Sequence, residues 1–281
     1  MVDHPLKQFD QCSCGVCSFA PSNVPSGLKL RAKNLQMKSL ISKMHDSNGT
    51  IYYAAAATIS NGRMVSMKRV TLTFDNGPTP GITEGVLDIL SVRGIQAVFF
   101  VIGEKHARPG GRALAVRARS EGHLIGNHSF THSVPLGENR DDEYARREIE
   151  ETQQLIGELT HEGKLFRPMG GGGLIGPHLL SPAALQILQA GKYTCVLWSS
   201  VPGDWKDQEG WVERCIADIA GHEWTVVVLH DVERAALPRL PEFLDRLDSL
   251  GVDFRQDFPE DVVITRNGEL VSPLASKIVA Q

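Results

Sequence analysis

RVTLTFDNGPTP, residues 69–80, opens as a β-branched run and stops on a polar cluster, Asp75 and Asn76, ahead of the turn-forming pair Gly77 and Pro78. Six further runs of this kind follow, at 97–102, 123–126, 165–167, 193–198, 225–230 and 252–254. Amphipathic stretches separate them, near 82–93, 110–121, 140–161, 180–190, 209–220 and 237–250. Strand, helix, strand repeated in this way predicts a parallel sheet, and seven such units suggest an α/β barrel. Asn267-Gly268, set between 262–265 and 270–271, predicts a terminal hairpin.

In parallel α/β architectures reactive residues collect where strands hand over to loops at their C-terminal ends. Here the first strand ends in Asp75 and Asn76, the third runs into Asn127, His128 and His132, and the fourth ends at Arg167. The fifth leads to Asp204 and Trp205, and the sixth ends at His230 and Asp231. One isolated His or Asp means little, but five polar strand ends argue for a shared site. In NHSFTH, residues 127–132, the two imidazoles are four residues apart, so a helical turn there would aim both at one point, which suits a divalent metal. Gly170–Gly173 invites a phosphate-loop reading, yet no Lys-Ser/Thr pair follows.

Composition narrows the class. The 281 residues are 42% hydrophobic and 22% charged, enough for a sizeable core, and the formal net charge of −4 lacks the basic excess that nucleic acid or an anionic membrane selects. No apolar stretch approaches the ~20 residues of a membrane span. Five cysteines are an odd number, and Cys195 and Cys215 sit in apolar segments, which favours a reducing compartment. Acidic residues and proline in the first 25 positions argue against secretory export, so a cytoplasmic location is expected.

Residues 1–66 differ from the remainder: seven Lys/Arg against three Asp/Glu, nine Ser and no Glu. That is a net +4, against −8 for 67–281. Apart from the Ala-rich patch 51–59 the segment lacks a sustained period, so it is expected to be a disordered arm, an acid-poor and Ser-rich targeting sequence or, foremost, a stretch foreign to the native chain, with Met64 or Met67 then the natural start. The cluster Cys12, Cys14, Cys17, with His4 nearby, falls short of a four-ligand metal site in its immediate surroundings.

Five segments, in order, resemble the motifs of the polysaccharide deacetylases, the NodB-like carbohydrate esterases of family 4. TFDNGP at 73–78 is similar to TFDDGP, HSFTH at 128–132 to H-S/T-x-x-H, and FRPMGG at 166–171 to R-P-P-Y-G. GDWKD at 203–207 resembles the end of D-x-x-D-W, and VVVLHD at 226–231 the terminal L-H-D. The resemblance covers roughly 68–255 and implies a distorted (β/α)7 barrel with metal-assisted amide hydrolysis. On this resemblance Asp75 is the general base, His128 and His132 are metal ligands, and Arg167 holds Asp75 ionised. Trp205 and Leu229 wall the acyl pocket, and His230 is the general acid. The implied cofactor is a divalent metal, zinc first among the choices.

Three positions depart from that pattern. The third metal ligand falls on Asn76 rather than Asp, which removes a charge while keeping a carbonyl oxygen. Gly170 stands where the family has an aromatic side chain, which should open the cleft wall. The first Asp of D-x-x-D-W falls on Val201, leaving Asp204 to tune His230, with Asp231 a candidate only if the chain turns back. The expected activity is hydrolysis of a C–N amide bond, foremost deacetylation of an N-acetylated amino sugar or saccharide. The rivals are a metal-independent, deformylase-like hydrolase and a carbohydrate-binding pseudoenzyme. The expected partner is a saccharide or small-molecule substrate, with neither nucleic acid nor a membrane span.

Overall fold

The computed structural model describes residues 37–45, 51–60 and 63–281, with side chains from residue 67 onward. His4, Cys12, Cys14 and Cys17 lie outside the described residues. Within the segment expected to be disordered or foreign to the native chain, β1 (Met37–His45), β2 (Ile51–Ser60) and β3 (Arg63–Ser66) form an antiparallel sheet, with the Ala-rich patch inside β2. These strands pair only with one another among the described residues.

All seven strands expected of the barrel are present, as β4 (Arg69–Asp75), β5 (Val98–Val101), β6 (Leu124–Asn127), β7 (Leu165–Phe166), β8 (Thr194–Val196), β9 (Trp224–His230) and β10 (Asp253–Arg255). β4 is central: it pairs in parallel with β9 along its whole length, with β10 at its start and with β5 at its end. The sheet runs on through β6, β7 and β8, all parallel. It then curls shut where Ser199 and Ser200 bond to β9: both backbone N–H groups donate to Val226 O, and Val228 N donates to Ser200 O at 2.9 Å. The result is the distorted (β/α)7 barrel. β11 (Val263–Arg266) joins β8 antiparallel and turns through Asn267 and Gly268, both at positive φ, into β12 (Glu269–Leu270), which is the hairpin the sequence predicts.

The helices also fall where periodicity places them: α1 (Thr83–Arg93), then α3 (Gly111–Ser120), α6 (Pro182–Ala190), α7 (Trp211–Gly221) and α8 (Leu240–Leu250). The short α2 (Gly103–Ala107) and α9 (Ala275–Ile278) span too few residues for a 3.6-residue period to register. The stretch expected at 140–161 is α4 (Asp142–Arg146) and α5 (Thr152–Ile156) joined through a π-helical turn, Arg147–Glu151.

α6 starts on Ser181, whose hydroxyl accepts from Ala184 N, with Pro182 in its first turn, where the missing N–H costs nothing. α7 and α8 are fastened to each other by Trp211 against Phe243, ring centroids 5.1 Å apart and both fully buried. Removing either ring would cost about 3–5 kcal/mol. Inside the barrel Val98, Phe100, Leu165, Val196 and Val263 form the plug on which the strand ends stand.

Candidate active site

Because β4 and β9 are in register, Asp75 lies opposite His230, and both stand at the rim of the barrel. Asp75 is almost fully buried, and its Oδ1 accepts from Arg167 Nη1 at 2.9 Å. Arg167 follows β7 and is itself sealed in: Nη1 also donates to Thr73 Oγ1 at 2.6 Å, Nη2 donates to Leu197 O at 3.0 Å, and the guanidinium lies 4.1 Å over the Phe100 ring. Burial works most strongly, to raise the Asp75 pKa, but the charge and hydrogen bond of Arg167 together with the neighbouring His128 and His230 outweigh it and hold the carboxyl below the usual range.

His230 is fixed by Asp204, which is completely buried in the loop after β8. One carboxylate oxygen accepts from His230 N at 2.9 Å and the other pairs with Nδ1 at 2.8 Å. Burial works to strip the ring of its proton. The hydrogen bond to Asp204 and the negative charges of Asp204, Asp75 and Asp231 outweigh it, so His230 stays protonated above the usual imidazole range. Nδ1 is committed to Asp204, which leaves Nε2 for the cavity, and the Trp205 ring packs edge-on at 4.4 Å between centroids. Asp204 is therefore the carboxylate that tunes His230. Asp231 turns the other way, accepting from Thr83 Oγ1 at 2.6 Å.

His128 and His132 come together as the spacing requires, although by a different route. The 128–132 segment is a loop rather than a helical turn, curled by Ser129 and His132 at positive φ, and the two rings end 4.7 Å apart. The loop hangs on Glu148, a buried residue of the π-helical turn: Oε2 accepts from Phe130 N at 3.0 Å and Thr131 N at 2.9 Å, and Oε1 accepts from Thr131 Oγ1 at 2.7 Å. Sequence reasoning missed Glu148, since an acidic residue within an amphipathic stretch looks like a solvated face; only the π turn rotates it inward.

His128 Nδ1 donates to Arg167 O at 2.8 Å, which fixes the tautomer and keeps the Nε2 lone pair available, 3.6 Å from Asp75 Oδ2. Burial holds His128 below the usual imidazole range and, with the neighbouring His128, pushes His132 down to about 3, so both rings are neutral. Asn76 sits at positive φ, and its buried Oδ1 has no hydrogen-bond partner among the described residues. Two neutral imidazoles and an orphaned carbonyl oxygen on one cavity wall are a donor set that fits a divalent cation.

The cavity, of about 170 Å³, is lined by Asp75, Asn76, His128, His132 and His230, with Met169, Gly170–Gly173, Trp198, Val201, Trp205 and Val228 completing it. Two expectations need correction. Leu229 is not a wall residue: it is buried in the core between the sheet and the outer helices, together with Val227. Strand alternation puts Val228 and His230 on the inner face, so Val228 takes that place. Nor does Gly170 leave the wall open, because the Trp198 ring fills the room beside it.

The polysaccharide deacetylase family model matches residues 62–196. A peptidoglycan-N-acetylglucosamine deacetylase from Bacillus cereus is 31% identical over 171 residues, covering 58% of this chain and 73% of that protein. The chain belongs to the polysaccharide deacetylase family. Within this family, the Bacillus subtilis peptidoglycan-N-acetylmuramic acid deacetylase PdaC is 31% identical over 190 residues, 66% of this chain; the match spans 37% of PdaC's own length. The PdaC structure aligns with a TM-score of 0.54 over 67% of this chain and 87% of that one, at 28% identity. A family 4 acetyl xylan esterase from Clostridium thermocellum, solved in complex with a cobalt ion, aligns at 0.55 over the same shares, at 29% identity. As a member of this family, the chain departs from the family pattern at Asn76, Gly170 and Val201, all of which line the one cavity.

Proposed function

We propose that this chain is a metal-assisted deacetylase of an N-acetylated amino sugar, acting in the cytoplasm. The observation that carries the reading is the facing pair on β4 and β9: Asp75 bonded to the buried Arg167 and His230 bonded to the buried Asp204, across one cavity, an arrangement that favours an ionised carboxylate and a protonated imidazole. Amide hydrolysis requires a base to activate water and an acid to protonate the departing nitrogen, because an amide anion is too poor a leaving group.

Asp75 takes the proton from the attacking water through the carboxylate oxygen not engaged by Arg167. His230 gives the Nε2 proton to the sugar nitrogen as the C–N bond breaks, while Asp204 stabilises the charged imidazole and fixes its orientation. Trp205 and Val228 flank the acyl group and exclude bulk water, which strengthens each of these interactions. His128, His132 and Asn76 would hold a divalent cation, zinc in this reading. When bound it supplies Lewis acidity, which lowers the pKa of water and polarises the amide carbonyl.

The test is acetate release from N-acetylglucosamine oligomers by purified protein, with elemental analysis and with chelator and metal add-back. Activity that disappears with chelator and returns with zinc supports the reading. Turnover indifferent to chelator favours the metal-independent hydrolase, and saccharide binding without acetate release favours the pseudoenzyme.

A further inference from the structure

Gly170 lies outside the left-handed backbone region, so its conformation does not require glycine. What forbids a side chain is the neighbour: a Cβ at 170 would sit 2.4 Å from Cη2 and 2.9 Å from Cζ2 of Trp198. The half-buried Trp198 stands just beyond the end of β8 and lines the cavity, and its Nε1 donates to Gly173 O at 2.9 Å. Gly173, at φ 93, lies against Val201, whose Cβ is 2.9 Å from where a Cβ on Gly173 would be. Both ends of the run Gly170–Gly173 therefore rest on side chains that follow β8. The indole occupies the room that a side chain at 170 would otherwise take.

The lining has a second feature. Besides the paired Asp75 and the three histidines it is neutral, with Met169, Trp198, Val201, Trp205 and Val228 supplying apolar surface and no Lys or Arg among the lining residues. A pyranose with equatorial substituents presents a face of C–H groups, which packs against an indole through dispersion and the ring quadrupole. A carboxylate on the same sugar, packed against the indole, would be desolvated with no Lys or Arg in the lining to pair it.

Resting on the deacetylase reading, we propose that Trp198 is the specificity-determining wall of the site. It packs against an uncharged N-acetylglucosamine-type ring that carries the scissile acetamide, and it disfavours sugars bearing a carboxylate. Its bulk, in place of a side chain at 170, sets how the sugar approaches Asp75 and His230.

Acetate release is measured on N-acetylglucosamine oligomers and on oligomers containing N-acetylmuramic acid, which adds a lactyl carboxylate. The proteins are the parent, Trp198→Ala, Trp198→Phe, Gly170→Tyr and the double variant Trp198→Ala/Gly170→Tyr. Calorimetry of oligomer binding to the parent and to Trp198→Ala accompanies the kinetics. Trp198→Ala should raise KM for the neutral oligomer roughly tenfold, with a smaller change in kcat. Trp198→Phe, which keeps a ring but not the N–H to Gly173, should recover most of that KM. Gly170→Tyr alone should lose activity through the clash, and the double variant should regain it. The parent should prefer the neutral oligomer.

An unchanged KM in Trp198→Ala, an active Gly170→Tyr in the presence of Trp198, or a preference for the carboxylate-bearing oligomer overturns the proposal. Binding that depends on Trp198 without acetate release sinks the catalytic reading and keeps this one. Turnover indifferent to Trp198 does the reverse, and the absence of both binding and turnover removes both.

Discussion

The two halves of the cavity are built on opposite principles. On the acid–base half each charge meets a buried partner that follows another strand, Arg167 after β7 for Asp75 and Asp204 after β8 for His230. On the other half His128 and His132 are neutral rings and Asn76 Oδ1 is buried without a partner among the described residues. Partnered groups hold a protonation state, whereas unpartnered lone pairs are donors suited to a cation. The difference teaches that protonation and coordination are controlled separately here, so substitutions can uncouple them.

The largest effect should come from that uncoupling. Asp75→Asn should lower kcat by about 10²–10⁴-fold while metal content by elemental analysis stays near the parent's; His128→Ala should lose metal and activity together. Equal metal loss in the two variants would make Asp75 a ligand and merge the halves.

Glu148→Gln sharpens the comparison from behind. The amide cannot accept from two backbone N–H groups at one end and the Thr131 hydroxyl at the other as strongly as the carboxylate does. Zinc affinity should fall by roughly 10–100-fold, the range for lost support behind metal ligands. Titration giving the parent's affinity would mean that the 128–132 loop holds its shape without Glu148.

Asn76→Asp adds a full charge to a donor set that is otherwise neutral. Metal affinity should rise by about tenfold or more. If the variant binds no more tightly than the parent, Asn76 lies outside the coordination sphere and the metal-independent reading gains.

The smallest effect is a shift in pH dependence. Asp204 raises the His230 pKa, and the acid must carry its proton to work, so activity is lost as pH rises through that pKa. Asp204→Asn removes the charge and lowers the pKa, so the alkaline limb of kcat against pH should move to lower pH, with metal content unaltered. A limb that stays in place would assign it to another group.

How far the site was legible follows from the same division. Asp75, Asn76, His128, His132, Arg167, Asp204, Trp205 and His230 were readable because each stands at the C-terminal end of a short apolar run or in the loop just after it. Leu229 was misread because a one-residue step along a strand exchanges the cavity for the core, and neither neighbour's identity announces which side it faces. Trp198, Val228 and Glu148 were not picked out. An apolar residue at a strand end looks the same whether it covers the core or a ligand.

The sequence by itself determined the order of strands and helices, the hairpin at Asn267-Gly268 and the four-residue spacing of two histidines just after a strand end, since period, turn chemistry and short spacing are local properties. Only the tertiary structure decided which carboxylate tunes His230, that a loop and Glu148 bring the imidazoles together, and that Trp198 fills the space beside Gly170. Each of those joins residues 17 to 28 positions apart, such as His230 with Asp204 or Trp198 with Gly170. Contacts at that separation depend on register and packing across the barrel, which local periodicity does not encode.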